Sequence, residues 1–385
     1  MSIPLSLYVH FPWCVKKCPY CDFNSHEQVG ELPESDYVSA LLADLDQDMQ
    51  DFQLGNGTPL GSIFFGGGTP SLFSPGVIHE LLDGIAKRCH INADTEITME
   101  ANPGTIDAKH FSGYHRAGVN RISLGVQSFG DEQLIQLGRI HSADQASRAF
   151  EVARNAGFNN INIDLMHGLP QQDLTLALTD LDKALLLEPE HLSWYQLTIE
   201  PNTAYYRRPP QLPEDDVLWQ IYVQGSEKLK DAGFQRYEVS AFSRPGTASI
   251  HNQNYWQFGD YLGIGAGAHG KLTRQINSQL IISRTNKTRL PKDYLHTQKR
   301  NTQEVPPMEL PLEFLMNGLR LVAGFEVTAF TERTGLSTDT LHSFIKAATS
   351  KALLEVTTDT IKPSSLGLQY LNDLLLLAAD HTSGL

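Results

Sequence analysis

YVHFPWCVKKCPYCDF, residues 8–23, carries Cys14, Cys18 and Cys21 on one short loop in a C-x3-C-x2-C spacing. A [4Fe–4S] cube takes four ligands, and three thiolates on one loop can hold three of its irons while the fourth stays open to another molecule. Zinc with His10 or His26 as fourth ligand, a disulfide, or plain buried thiols are the other uses for such cysteines. Zinc sites usually pair a C-x2-C knuckle with a second half-site, and none follows downstream. Cys89 stands apart after the helical-looking ELLDGIAKR and reads as a structural thiol.

Outward from the loop, short β-rich runs alternate with amphipathic stretches every roughly 25–35 residues, the rhythm of βα units around a parallel sheet. The runs at 5–10, 62–65, 96–100, 121–124, 161–165 and 191–197 read as strands. Helical periodicity marks 36–52, 75–89, 108–117, 143–156, 174–187 and 214–232, with stops at Gly118, Gly157 and Gly233. Six units predict an α/β fold, an open (βα)6 partial TIM barrel rather than a closed eight-fold one.

In such barrels the chemistry gathers where the βα loops leave the C-terminal ends of the strands. The cysteine loop follows strand one and GGGTPS, 66–71, follows strand two; Glu100 in TMEANPG ends strand three. Gln127 in SLGVQSFG follows strand four, Asp164 in NIDLMHGLP ends strand five, and Glu200 follows strand six. The glycines free the backbone to approach an amino or carboxylate group closely, although a triple glycine alone also marks a tight turn. Glu100 offers a carboxylate to an ammonium or a ribose. Gln127, Asp164 and Arg139 in LGRIHS are individually ambiguous, since a buried acid at a strand end is often hydrogen-bonded scaffold.

The 385 residues carry a formal charge of −14 and a pI near 5.4, which disfavours broad nucleic-acid binding. Lys16-Lys17, Arg207-Arg208 and the arginines between 284 and 300 read as solvated loop charges. No long apolar run and no signal-peptide pattern appears, so a cytoplasmic protein is expected, in a reducing compartment that suits an exposed cluster loop.

Taken together, YVHFPWC, CPYC, GGGTPS, EANPG, GVQSF, GRIHS and DLMHGLP resemble the radical S-adenosylmethionine (SAM) superfamily. Within it they are most similar to the oxygen-independent coproporphyrinogen III oxidase group, over about residues 5–270 and again in the tail. The resemblance implies a [4Fe–4S] cluster on the three cysteines whose open iron chelates SAM. It implies that Tyr8, Gly67 and Glu100 contact that SAM. Tyr20, Gly68, Thr69, Gln127, Arg139 and Asp164 correspond to positions that hold a second SAM in the oxidase.

Two departures match the heme-chaperone branch of the group. Phe23 stands where the oxidase has a further cysteine, and only 13 residues precede Cys14. HNQNYW, 251–256, followed by YLGIGAGAHG, matches a motif of that branch. The resemblance therefore implies heme binding and transfer to heme-accepting proteins, some of them membrane enzymes reached by transient docking. His251 is the expected heme ligand, with Tyr255 and Trp256 stacking on the macrocycle. A hydrogen-bonded histidine among packing aromatics is the alternative, and His10 and His269 are weaker candidates.

Residues 1–240 are expected to form the core barrel, 241–285 a connecting region with HNQNYW, and 286–385 a small helical domain of winged-helix flavour. The acidic balance disfavours DNA as its target, which leaves a lid or a docking surface. A heme chaperone is the expected function and coproporphyrinogen III oxidation the alternative; a tRNA-modifying role lacks a basic module.

Overall fold

The computed structural model describes residues 3–105 and 107–382. Six parallel strands form its frame: β1 (Leu5–Phe11), β2 (Ser62–Gly67), β3 (Glu96–Ala101), β4 (Arg121–Gln127), β5 (Ile161–His167) and β6 (His191–Gln196). Nearly every residue in them is buried, as expected of strands covered on both faces. Their two faces nevertheless differ, because side chains alternate along a strand. One set is apolar, with Leu7, Val9, Ile63, Phe65, Met99, Leu124, Ile163 and Leu165 joined in one core. The alternate set is polar yet buried, with Ser6, Ser62, Thr98, Ser123, Asn162 and His191.

The apolar set packs beneath α1 (Glu34–Asp51), α2 (Pro75–Ala86), α3 (Ala108–Ala117), α4 (Ala143–Asn155), α5 (Leu174–Leu186) and α6 (Asp215–Asp231). Each fully buried aliphatic side chain there contributes about 1.5–3 kcal/mol. The helix ends follow local rules. Ser142 and Gln145 form a reciprocal capping box on α4, Asp107 caps α3, and Gly118 ends α3 at φ 110°.

Beyond the sixth unit the chain extends the same sheet. β7 (Gln235–Arg236) and β8 (Ala241–Ser243) add to the β6 edge. After α7 (Ile250–Trp256), β9 (Asp260–Ile264) lies parallel to β1 as a seventh parallel strand. Then β10 (His269–Ile276), β11 (Gln279–Lys287) and β12 (Arg300–Glu304) continue antiparallel. The twelve-stranded order is β7-β8-β6-β5-β4-β3-β2-β1-β9-β10-β11-β12. It is an open mixed sheet, not a closed barrel.

A buried ion cluster clamps this extension to α1. Lys287 of β11 pairs with Asp44 and, at 2.7 Å, with Asp48, while Arg300 of β12 reaches Asp48 at 2.5 Å. Tyr294 donates to Asp44 at 2.6 Å, and the same carboxylate accepts from the Gly265 amide. A second apolar core gathers α8 (Leu310–Gly318), α9 (Val327–Thr334), α10 (His342–Ser350) and α11 (Leu371–Thr382). A small antiparallel sheet completes that unit, with β13 (Phe325–Glu326), β14 (Leu354–Val356) and β15 (Thr360–Pro363) in the order β13-β15-β14.

Candidate functional site

A cavity of about 460 Å³ opens where β1–β6 end. The three loop cysteines line it, together with Tyr20, Gly67, Gly68, Thr69, Glu100, Gln127, Arg139, Asp164 and Glu200. Tyr8 lies beneath, its hydroxyl 2.9 Å from His10 Nδ1. His251, Tyr255 and Trp256 are not part of this cavity.

The cysteine loop is pinned at both ends. Trp13–Cys14 pairs parallel with His26–Glu27, and the Lys17 ammonium crosses the loop to donate to the carbonyls of Phe23 (2.9 Å) and Ser25 (3.2 Å). Asn24 Nδ2 ties the loop to the carbonyls of Ala266 (2.9 Å) and Arg289 (2.8 Å). All four cysteines are unpaired, and Cys89 is buried against Met49, away from the site. Burial and the neighbouring Cys21 push the Cys14 thiol up to about 11, and burial raises Cys21 as well. Thiols raised in this way give up their protons to a metal centre rather than to water.

His10 is already committed on both ring nitrogens, to Tyr8 and to the Asn24 carbonyl at 2.9 Å. Among the described residues no group of His, Cys, Asp or Glu converges to hold a single metal ion. A cube that seats each thiolate on a different iron does not require that convergence.

Glycine is required twice in the second loop. Gly67 sits at φ 115°, and a Cβ there would lie 2.5 Å from His10 Cε1. At Gly68 a Cβ would run into the Trp13 carbonyl. The amides of Gly68 and Thr69 donate to the Phe11 and Trp13 carbonyls, both at 2.7 Å, so the turn extends the β1–β2 pairing alongside the cysteine loop. The Gly67 amide donates to Glu100 Oε2 at 3.0 Å.

Of the acids lining the cavity, Glu100 and Asp164 lie close enough to influence each other. Burial, then the proximity of Asp164, pushes Glu100 up to about 8 despite the Gly67 amide. Burial also raises Asp164, opposed by hydrogen bonds from Asn162 and Ser123. Such a pair favours a cationic or hydroxyl-bearing ligand. Arg139 supplies the opposite charge, its Nη1 3.7 Å from Cys18 Sγ, its Nη2 donating to the Gly125 carbonyl at 2.7 Å and its buried Nε without a partner. Burial raises the Tyr20 hydroxyl, against the pull of Arg139.

Gln127 adopts φ 72° at a register shift of β4 and accepts from the Tyr195 hydroxyl at 2.7 Å. Tyr195 also lines the cavity, and the sequence reading passed it over. Its signal was there: Tyr195 is two residues beyond Ser193 on the polar face of β6. Thiols, free backbone, two acids and a guanidinium together fit a cluster with SAM. The Gly67–Gly68 cradle, which any Cβ would fill, and the orphaned Arg139 Nε are the features that fit it.

HNQNYW forms α7 at the opposite end of the strands. His251 is only 3% exposed, its Nδ1 3.3 Å from Ser62 Oγ, and burial lowers it to about 3. Tyr255 and Trp256 line a separate cavity of about 220 Å³ with Tyr261, Arg284 and Asn317. Arg320 stacks on the Trp256 ring at 4.3 Å.

The Radical SAM superfamily matches residues 8–181, and the HemN C-terminal domain matches 305–370. Fold, cysteine loop and ligand cavity thus define a radical SAM protein. The chain is 50% identical over 375 residues to the heme chaperone HemW of Escherichia coli, covering 97% of this chain and 98% of that one. It is 49% identical to HemW of Haemophilus influenzae, with 97% of each chain covered, and 36% identical to that of Bacillus subtilis, with 91% and 92% covered. The chain belongs to the HemW heme-chaperone family. Coproporphyrinogen III oxidase (HemN) of Escherichia coli shares the fold, with a TM-score of 0.81 at 22% identity over 98% of this chain and 90% of that one. Among the described residues no helix is long and apolar enough to cross a membrane.

Proposed function

We propose that this protein is a heme chaperone that carries a [4Fe–4S] cluster on Cys14, Cys18 and Cys21, holds SAM in the adjoining cavity, and binds heme and passes it to acceptor hemoproteins. Likeness to HemW relatives along nearly the whole chain carries the proposal. It acts in the cytoplasm, and delivery to a membrane-bound acceptor proceeds by transient docking. A cluster with SAM on its open iron would supply one-electron redox chemistry. The chain's own residues bind and orient: Gly67 and Gly68 present free backbone, Glu100 and Asp164 attract positive charge and hydroxyls, and Arg139 steadies Cys18. Phe23 is 58% exposed at the cavity mouth, an apolar ring beside the cluster loop.

For heme itself, Tyr255 and Trp256 offer ring faces, and Arg284, held by Glu313 and Tyr261, is a guanidinium that a propionate would reach by displacing Glu313. His251 reaches a heme iron only if α7 leaves its seat beneath the barrel. Coproporphyrinogen oxidation remains the second reading, favoured by one observation: all six positions corresponding to the oxidase's second SAM line the same cavity. The test is anaerobic. Cluster-loaded protein is titrated with hemin and, separately, incubated with coproporphyrinogen III, SAM and a reductant beside an authentic oxidase. Stoichiometric hemin binding without protoporphyrinogen formation is expected. Product formation would favour the oxidase, and failure to bind hemin with the cluster intact would end the chaperone reading.

A further inference from the structure

HNQNYW forms the floor of the barrel. Glu96 of β3 caps the helix, accepting from Ser249 Oγ (3.2 Å) and from the amides of Ile250 (2.9 Å) and His251 (3.1 Å). Buried Arg121 lies 4.0 Å from the same carboxylate. Two connections climb from this floor to the cavity that holds the cysteines.

The first is a stack of rings. His251 lies 4.5 Å from Phe64 at 20° and 6.3 Å from Tyr8 at 29°. Gly66, the first of the three glycines, rests on the same rings: a Cβ there would be 2.8 Å from Phe64 Cε1 and 3.1 Å from Tyr8 Cε2.

The second is a chain of hydrogen bonds through the polar interior. Asn252 Nδ2 donates to the Tyr237 hydroxyl at 3.3 Å, and that hydroxyl pairs with His191 Nε2 at 2.9 Å. His191 Nδ1 pairs with Asn162 Oδ1 at 2.6 Å. Asn162 Nδ2 donates to Asp164 Oδ1 at 2.8 Å and to Ser123 Oγ at 2.7 Å, and Ser123 donates to Asp164 Oδ2 at 2.9 Å. With His191 protonated on Nδ1, every member has one consistent donor or acceptor role. A satisfied buried network of this kind fixes one geometry.

We infer that His251 and Asn252 are positioning residues for the SAM cavity: His251 supports Tyr8 and the triple-glycine turn from below, and Asn252 orients Asp164 through Tyr237, His191 and Asn162. The inference rests on SAM occupying that cavity. It gives the motif a task at the barrel floor that involves no contact with heme.

The mildest test is Tyr237→Phe, which deletes one hydroxyl from a half-buried ring and leaves its bulk. Cluster-loaded, full-length protein is compared by equilibrium dialysis with labelled SAM and by hemin titration. Tyr237→Phe should weaken SAM binding about five-fold, the scale of one hydrogen bond, and leave hemin stoichiometry unchanged. In an Asp164→Asn background the same change should add almost nothing, because both act through one carboxylate. His251→Ala should likewise weaken SAM, and His251→Phe, which keeps a ring against Phe64, should recover most of the loss.

An unaltered SAM affinity in Tyr237→Phe, or losses that simply add in the double variant, would overturn the inference. So would a His251→Ala protein that loses hemin and keeps SAM. Wild-type protein that binds no SAM would overturn both the inference and the cavity assignment beneath it.

Discussion

Glu100 should make the protein less stable as pH rises, and a single substitution should remove the effect. Its ordinary value is 4.5, and in the folded chain it lies at about 8. Between those values the folded state holds a proton that the unfolded state has lost, so stability from this group is full at pH 4.5 and falls as pH rises through 8. The full difference corresponds to about 5 kcal/mol as an upper bound at 1.36 kcal/mol per pH unit. Water entering the open cavity screens the carboxylate, which leaves about 2–3 kcal/mol. For a chain of 385 residues that is roughly 2–4 °C in melting temperature. Cluster-loaded, SAM-free protein and its Glu100→Gln variant are melted between pH 5 and 8.5. The two profiles should lie close together near pH 5 and diverge steadily as pH rises toward 8, with the variant the more stable. Parallel profiles would refute the reasoning, because Glu100 would then be ionised across the whole range.

Replacing Cys14, Cys18 or Cys21 with Ala should abolish the visible absorbance of the cluster, whereas Cys89→Ala, at a thiol packed on Met49, should keep it; absorbance spectra after reconstitution decide. Gly67→Ala combines a positive φ with a clash on a histidine held at both nitrogens, and should cost about 2–4 kcal/mol, seen as a lower melting temperature and poor cluster retention. Lys287→Met leaves the buried Asp44 carboxylate without its cation and Asp48 with Arg300 alone, and should destabilise by about 3–5 kcal/mol in urea denaturation.

Local features were readable in the sequence alone. The cysteine spacing depends on one loop, the strand faces on a two-residue period, and the helix ends on single glycines or capping residues. All six expected strands are present, and the residues at their C-terminal ends do converge. The motif at 251–256 was harder: its composition suggested a ligand surface, and whether it faces solvent or a barrel floor depends on β3 and β4, more than a hundred residues away. Tyr195 was missed because a tyrosine in a strand looks like packing until Gln127 is seen beside it.

By itself the sequence determined the three-cysteine loop, the alternation of apolar and polar positions and the order of the βα units, since each is settled by neighbours along the chain. Tertiary structure decided the rest. It set β9 beside β1 as a seventh parallel strand, brought Arg139 to Cys18, and paired Lys287 with Asp44. It also turned the hydrophilic strand face inward to link Asn252 with Asp164. These contacts join residues far apart in the chain, and their energy depends on sheet order, register and burial. No local pattern encodes those three quantities; they exist only once the chain has closed on itself.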